Sequence, residues 1–140
     1  MLRVYTVILP IILGFITSKE NGYHGYHVTT YNKIMSEDQL QSQCFQWHWN
    51  NRPHLRRRLF HINQKAKNAI EGNRMKAMGV IPGVSDFAYL ITGSVRWIEM
   101  KTVDGVQSRD QKEFEQLVTG LGMEYHICRD LEHFKTLTNV

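Results

Sequence analysis

Cysteine is scarce in this sequence, which excludes one class of small protein. The 140 residues contain only Cys44 and Cys128, too few for the disulfide framework that stabilises many small secreted domains. Two thiols fit a reducing compartment, although the sequence does not exclude a single disulfide between them. The sequence also contains no internal repeat, no low-complexity run and no sign of a second domain. We therefore expect one globular domain, which suits a chain of this length.

A long hydrophobic run is also absent. Val4 to Ile16 (VYTVILPIILGFI) is almost wholly apolar but too short to span a bilayer comfortably, so we expect no membrane partner. The stretch is open to three interpretations: an extension upstream of a functional start at Met35, an export signal, or an extra strand or helix. We favour the first, with residues 1–35 as an N-terminal extension and 36–140 as the functional domain. The expected location is the cytoplasm, either bacterial or that of a host if the chain is viral.

Positive charge is in modest excess. Lysine and arginine number 17 against 13 aspartates and glutamates, a net charge of +4. This balance leans towards a polyanionic partner without establishing one. The most basic cluster is Arg56, Arg57 and Arg58, with Arg52, Lys65 and Lys67 nearby. It is either a solvated charge run or a phosphate-binding edge.

Hydrophobic periodicity and turn residues predict interleaved helices and strands. Ser36 and Gln39 form a capping box for a first helix that ends near Pro53. The later predicted elements are a strand at 59–62, a helix at 65–78 with Ala66, Ile70 and Met78 inward, strands at 86–91 and 95–101, a helix capped by Ser108 with the apolar stripe Phe114, Leu117, Val118 and Leu121, a strand at 125–128, and a helix capped by Asp130. This order predicts an α/β or mixed α+β fold.

The strand at 95–101 carries the most informative pattern. Side chains alternate between the two faces of a strand, so Glu99 and Lys101 share a face with Val95 and Trp97. A strand that merely covered a core would not need an acid and a base there. A short turn joins this strand to the one that begins at Asp86, so the two should pair antiparallel and bring Asp86 beside Glu99 and Lys101.

Two carboxylates and a lysine in one place suit phosphodiester hydrolysis. Carboxylates held close together raise each other's pKa, and a divalent cation removes the repulsion. Magnesium favours oxygen ligands, usually one or two carboxylates with waters and substrate phosphate. A bound cation activates water and stabilises charge on the transition state, and a nearby lysine can orient or deprotonate that water or contact the phosphate.

These residues also carry a family resemblance. The segment from Pro82 and Gly83 to Asp86, followed by the E-x-K strand, a glycine at Gly105 and a helix-borne glutamine, resembles the VRR-NUC branch of the PD-(D/E)XK nucleases. The match runs from about Ser36 to Phe134. It implies a mixed central sheet flanked by helices, magnesium or manganese as cofactor, and DNA as substrate. Some stand-alone members are dimers that cut branched DNA, including four-way junctions. Because a domain this small has one site, cutting two strands favours a symmetric homodimer.

The resemblance also implies a role for each matching residue. Asp86 and Glu99 correspond to the metal-binding carboxylates, the backbone carbonyl of Met100 to a further ligand, and Lys101 to the catalytic lysine. Glu37 and Gln41 look like the glutamate and glutamine of the family's first helix. Gln111 matches the glutamine of the later helix. The expected sets are catalytic Asp86, Glu99, Lys101 and Gln111; metal-binding Glu37, Asp86, Glu99 and Met100; and DNA-binding Gln41, Arg56, Arg57, Arg58, Lys65 and Lys67.

Two departures and several plainer interpretations accompany this pattern. Ser85 stands where the motif has proline, and Ile62-Asn63 lacks the proline of the family's Ile-Pro-Asn stretch. Glu37 could act only on the helix dipole, and Gln111 is explained as the capping partner of Ser108. A zinc site at Cys44 and His48, or at Cys128 and His133, lacks a standard spacing. The main functional alternatives are a non-cutting DNA-binding module of the same fold and an exported protein.

Overall fold

The computed structural model of the chain describes residues 35–62 and 66–140. The predicted extension, apart from Met35, lies outside the described residues, as does Lys65 of the predicted DNA-binding set. The helices are α1 (Glu37–Asn51), α2 (Ala69–Ala77), α3 (Arg109–Gly120) and α4 (Leu131–Leu137), with a 3₁₀ helix at Pro53–Arg58. The strands are β1 (Leu59–His61), β2 (Phe87–Ile91), β3 (Ser94–Met100) and β4 (Glu124–Cys128).

The four strands form one mixed sheet in the order β1-β2-β3-β4. β2 pairs antiparallel with both β1 and β3, whereas β3 and β4 are parallel. The β2–β3 connection is a tight turn at Thr92 and Gly93, and Gly93 adopts a positive φ of 75°. Parallel strands need a crossover, which α3 supplies between β3 and β4. The predicted mixed sheet flanked by helices is confirmed.

The predicted helix caps are also confirmed. Ser36 and Gln39 form the capping box of α1, and Ser108 and Gln111 form that of α3. The Asp130 side chain accepts a hydrogen bond from the His133 N–H at the start of α4. Because side-chain caps satisfy N–H groups that have no partner within the helix, these short motifs determine where the helices begin.

One face of the sheet forms the main core against α1 and α4. The inward side chains of β2 and β3 are buried in it, together with residues from both helices: Leu40, Cys44, Phe87, Tyr89, Ile98, Met100, Phe134 and Leu137. The opposite face receives α3, where Phe114 meets Trp97 edge to face at 5.1 Å between ring centroids. In the described residues no helix combines the length and apolar character needed to cross a membrane.

The apolar faces predicted for α2 and α3 are partly wrong. α2 begins at Ala69, capped by Asn68, and none of its side chains is buried; Ile70 is 83% and Met78 69% exposed. Ala66 and Met78 lie outside the observed helix, and no described element covers Ile70. On α3 only Val118 is buried. Leu121 is the C-cap of the helix, and both Leu117 and Leu121 are exposed.

Candidate active site

The antiparallel hairpin places the candidate acids at one end of the sheet. Phe87 lies opposite Ile98, so the next pair outward is Asp86 and Glu99, and directly opposed residues point to the same face. The beginnings of α1 and α3 reach the same end, because Glu37 contacts Lys101 and Gln111 contacts Glu99. The predicted juxtaposition of Asp86, Glu99 and Lys101 is therefore present in the fold.

Asp86 lies just before β2 and is held by two hydrogen bonds to the backbone of neighbouring segments. Its Oδ2 accepts a hydrogen bond from the Met100 N–H at 2.8 Å, and its main-chain carbonyl accepts from the Ile62 N–H at 2.9 Å. Burial raises the pKa of Asp86 above its ordinary value, and the Met100 hydrogen bond and the Lys101 charge offset only part of that rise. The carboxyl group is thus held in place but in an environment that disfavours its charge.

Glu99 is the most buried acid of the site, with 1% of its surface exposed. Its Oε1 accepts hydrogen bonds from Lys101 Nζ at 2.7 Å and from Gln111 Nε2. Its Oε2 is buried and has no hydrogen-bond partner among the described residues. Burial and the negative charge of Asp86 raise the pKa of Glu99 to about 7, against the opposing effect of the Lys101 hydrogen bond.

Lys101 is a buried cation surrounded by acids. Its Nζ lies 2.7 Å from Glu99 Oε1 and 3.5 Å from Glu37 Oε1. Burial alone would lower the pKa of Lys101, but the hydrogen bond to Glu99 and the surrounding negative charges raise it. In this arrangement Lys101 is an ammonium ion.

Two close backbone approaches hold Glu37 and Gln111 in place. A Cβ at Gly105 would come within 3.0 Å of Glu37 Oε1, so the loop after β3 packs against that carboxylate. A Cβ at Gly83 would overlap the carbonyl of Asp110 at the start of α3, and Gly83 has a positive φ of 82°. The Pro82–Gly83 turn therefore abuts the peptide unit that carries Gln111.

Gln111 makes both the capping contact and a contact with Glu99. Its Oε1 accepts from the Ser108 N–H at 2.8 Å and closes the capping box, while its Nε2 donates to Glu99. One amide side chain offers an acceptor and donors at once. The cap therefore orients the donor that reaches Glu99.

Sequence reasoning missed two residues at this end of the sheet. Arg129 Nη1 donates to the carbonyl oxygens of Thr102, Val103 and Gly105, which fixes the loop after Lys101. His61 Nδ1 lies 2.9 Å from the Asp86 carbonyl oxygen and 2.7 Å from Gln41 Nε2. Neither stands in a recognisable motif, because both act through contacts that are distant in sequence.

Most of the basic residues are not brought to this end. β1 runs from Leu59, opposite Tyr89, towards Asp86, so the 3₁₀ helix with Arg56, Arg57 and Arg58 precedes it at the far end. Arg56 Nε donates to the Trp49 carbonyl at 2.7 Å, and its guanidinium lies over the Trp49 ring, 4.8 Å from the centroid. Arg57 and Lys67 are exposed, and Arg58 is half-buried.

The donor set suits a hard divalent cation, although the three expected acids do not form one cluster. Within residues 35–62 and 66–140, no three His, Cys, Asp or Glu side chains are grouped to hold a metal ion. Magnesium commonly takes only one or two carboxylates from a protein, with waters and phosphate completing its shell. Asp86 and Glu99 are two such carboxylates, paired at the end of the hairpin. Glu99 Oε2 is buried with no partner among residues 35–62 and 66–140, and the pKa of both acids is raised, which fits the placement of a cation there.

Comparison with known proteins identifies the fold. No family model and no curated protein matches the chain. A solved structure described as a "VRR_NUC domain protein" superposes with a TM-score of 0.63 at 19% sequence identity. The match covers 75% of this chain and 86% of that one. The chain has the VRR_NUC fold. The predicted resemblance is confirmed at the level of the fold, and the roles of individual residues stay predictions.

Proposed function

We propose that this chain is a metal-dependent nuclease that hydrolyses phosphodiester bonds of DNA. The observation that carries the proposal is the buried Glu99 carboxylate, which has one oxygen without a hydrogen-bond partner in the described part of the chain, beside Asp86 and the Lys101 ammonium. A buried acid with a raised pKa and a specific charged neighbour is typical of a functional site. The nuclease-type fold of the structural neighbour supports the same conclusion.

Asp86 and Glu99 would hold magnesium or manganese, with the Met100 carbonyl as a further ligand by resemblance to the family. The cation would lower the pKa of a bound water and stabilise negative charge on the phosphate. The Met100 N–H fixes the Asp86 carboxylate. Lys101 and Gln111 fix one oxygen of Glu99 and leave the other available. This preorganisation reduces the rearrangement needed when the cation and substrate arrive.

Lys101 would act as an ammonium that positions the attacking water and the scissile phosphate. Its burial between Glu99 and Glu37 strengthens its charge interactions. Glu37, 3.5 Å from the Lys101 Nζ, would hold that ammonium in place and support the metal shell through bound water. Gln111 would orient Glu99 rather than touch the substrate.

DNA would approach through basic and polar residues outside this centre. The candidates are Gln41, Arg56, Arg57, Arg58, Lys65 and Lys67. Gln41 is the member next to the acids, because its amide contacts His61 beside Asp86. Arg56 is held against Trp49, which favours Arg57 and Arg58 for phosphate contact. We further propose branched DNA as substrate, a homodimer as the active form, and DNA repair or recombination as the context.

A cleavage assay on supercoiled and branched DNA, with magnesium or with EDTA, tests the proposal. We expect metal-dependent cutting that is lost in Asp86→Asn and Lys101→Ala. Glu132→Gln is a matched control, because Glu132 is an exposed acid bonded to Lys135 on α4, and it should cut normally. If the unaltered chain binds DNA without cutting it, the nuclease proposal is wrong and the chain is a DNA-binding module. Cutting that survives both site variants would exclude this site.

A further inference from the structure

The short helix α2 has no covering partner in the described part of the chain. None of its nine residues is buried, and Ile70 near its start is almost fully exposed. Isolated helices shorter than roughly 12–15 residues are marginal in water, since most helical stability comes from packing. A nine-residue helix with an exposed apolar residue therefore indicates a surface that packs against something.

A second uncovered surface lies beside α3. An open groove of about 290 Å³ is lined by Ile81, Pro82, Phe114 and Leu117, with Asp110 and Glu113 also at its wall. Ile81 and Leu117 are 62% and 58% exposed. The volume lies just below the range of small-molecule pockets, which is roughly 300–1,000 Å³. It suits one or two apolar side chains of a docking helix.

The two surfaces carry opposite charge. α2 has Arg74 and Lys76 in its last turn, and its acid Glu71 is turned back to accept from the Lys67 N–H at 2.7 Å. The groove presents Asp110 and Glu113. Glu113 is bonded to Arg109 at 2.8 Å, but both side chains are exposed, and such pairs contribute little. An acidic, apolar groove complements a basic helix with an exposed isoleucine.

We propose that α2 of one copy docks into the α3 groove of a second copy of this chain. α2 does not fill the groove of its own chain, because Ile81 and Leu117 remain exposed there. Each copy carries both helix and groove, so an exchange that is reciprocal about a two-fold axis closes as a dimer. The inference gives the homodimer of the proposed function a specific surface, and its test needs neither DNA nor cleavage.

The docking surface adjoins the candidate active site. Ile81 and Pro82 form one wall of the groove, and the next residue, Gly83, abuts the Asp110–Gln111 peptide. A helix from a second copy would press on the turn that leads to Asp86. Dimer formation would therefore brace both Asp86 and Gln111.

Sedimentation equilibrium of the full chain over a range of concentrations tests the inference. We expect a dimer whose dissociation constant rises about tenfold or more in Leu117→Glu and in Ile70→Glu, since each removes one buried aliphatic contact. Val140→Glu is the matched control, because Val140 is an exposed apolar residue at the C-terminus, and it should leave the dimer unchanged. Circular dichroism would verify that each variant is folded.

A charge exchange adds a second, independent measurement. Glu113→Lys and Arg74→Glu should each weaken the dimer, and the double variant should recover most of the loss. A monomeric full chain would overturn the inference, including the case in which residues 1–34 cover the groove within one chain. The inference would also be overturned by a dimer whose dissociation constant is the same in the unaltered chain and in all four single variants, namely Leu117→Glu, Ile70→Glu, Glu113→Lys and Arg74→Glu. Because oligomeric state is measured without DNA, this failure is distinguishable from failure of the nuclease proposal.

Discussion

Replacing Glu99 by glutamine should stabilise the metal-free protein while removing its activity. The Glu99 carboxyl is buried, and burial together with the Asp86 charge raises its pKa from 4.5 to about 7. Ionising it therefore costs more free energy in the fold than in the unfolded chain. Glutamine has nearly the same shape, and its oxygen can still accept from Lys101 or Gln111, so the substitution removes the charge and keeps the packing.

The pKa change sets the magnitude and the pH window. A rise from 4.5 to about 7 corresponds to about 3 kcal/mol at most. Between these values the folded protein retains a proton that the unfolded chain has released, so stability of the unaltered protein falls as pH rises. The advantage of Glu99→Gln should thus be near zero below pH 4.5. The Lys101 ammonium loses the Glu99 charge in this variant, which offsets part of the gain. We therefore expect the free energy of unfolding of Glu99→Gln to exceed that of the unaltered protein by about 1–3 kcal/mol above neutral pH.

Urea unfolding with EDTA present, at several pH values, measures this difference. Glu132→Gln serves again as the control and should show no comparable gain. Added magnesium in excess of the chelator should then stabilise the unaltered chain by about 1.4 kcal/mol at ten times its dissociation constant, and should stabilise Glu99→Gln by about 0.4 kcal/mol or less at the same concentration. A Glu99→Gln protein that is less stable than the unaltered one above neutral pH would refute the reasoning.

Three further substitutions test the supporting contacts. Gly83→Ala should lower both stability and cleavage, because its Cβ would displace the start of α3; Gly79→Ala shares a positive φ but meets no atom within 4 Å, so it should show only about 1–2 kcal/mol of strain in urea unfolding and normal cleavage. Arg129→Ala should reduce the turnover rate about tenfold to a hundredfold, with partial recovery in Arg129→Lys, since an ammonium also donates to carbonyls; equal rates for the two would contradict the loop contact. His48 is buried with Nε2 unpaired among the described residues, and burial and the Arg52 charge lower its pKa; His48→Phe should therefore remove a loss of stability that the unaltered chain shows as pH falls below 6.5, and an unchanged pH profile would count against it.

The candidate site was predictable where its geometry is local. A tight turn fixes the β2–β3 register, and alternation along a strand then brings Asp86 beside Glu99. The capping boxes were predictable for the same reason, since each spans only a few residues. The position of Arg129 was not, because its partners are the carbonyls of a loop more than twenty residues earlier. The inward orientation predicted for Ile70 and Met78 was wrong, because the spacing of apolar residues does not show whether another element covers them.

Manganese binding to the full chain, measured by calorimetry or electron paramagnetic resonance, tests the central claim most directly. The account predicts one site, weakened about tenfold or more in Asp86→Asn and in Glu99→Gln, and unchanged in Glu132→Gln. Because Asp86 and Glu99 would hold the same cation, the variant that combines Asp86→Asn with Glu99→Gln should lose that one site and no other. No binding to the unaltered chain, or equal binding by the unaltered chain and both site variants, would contradict the account.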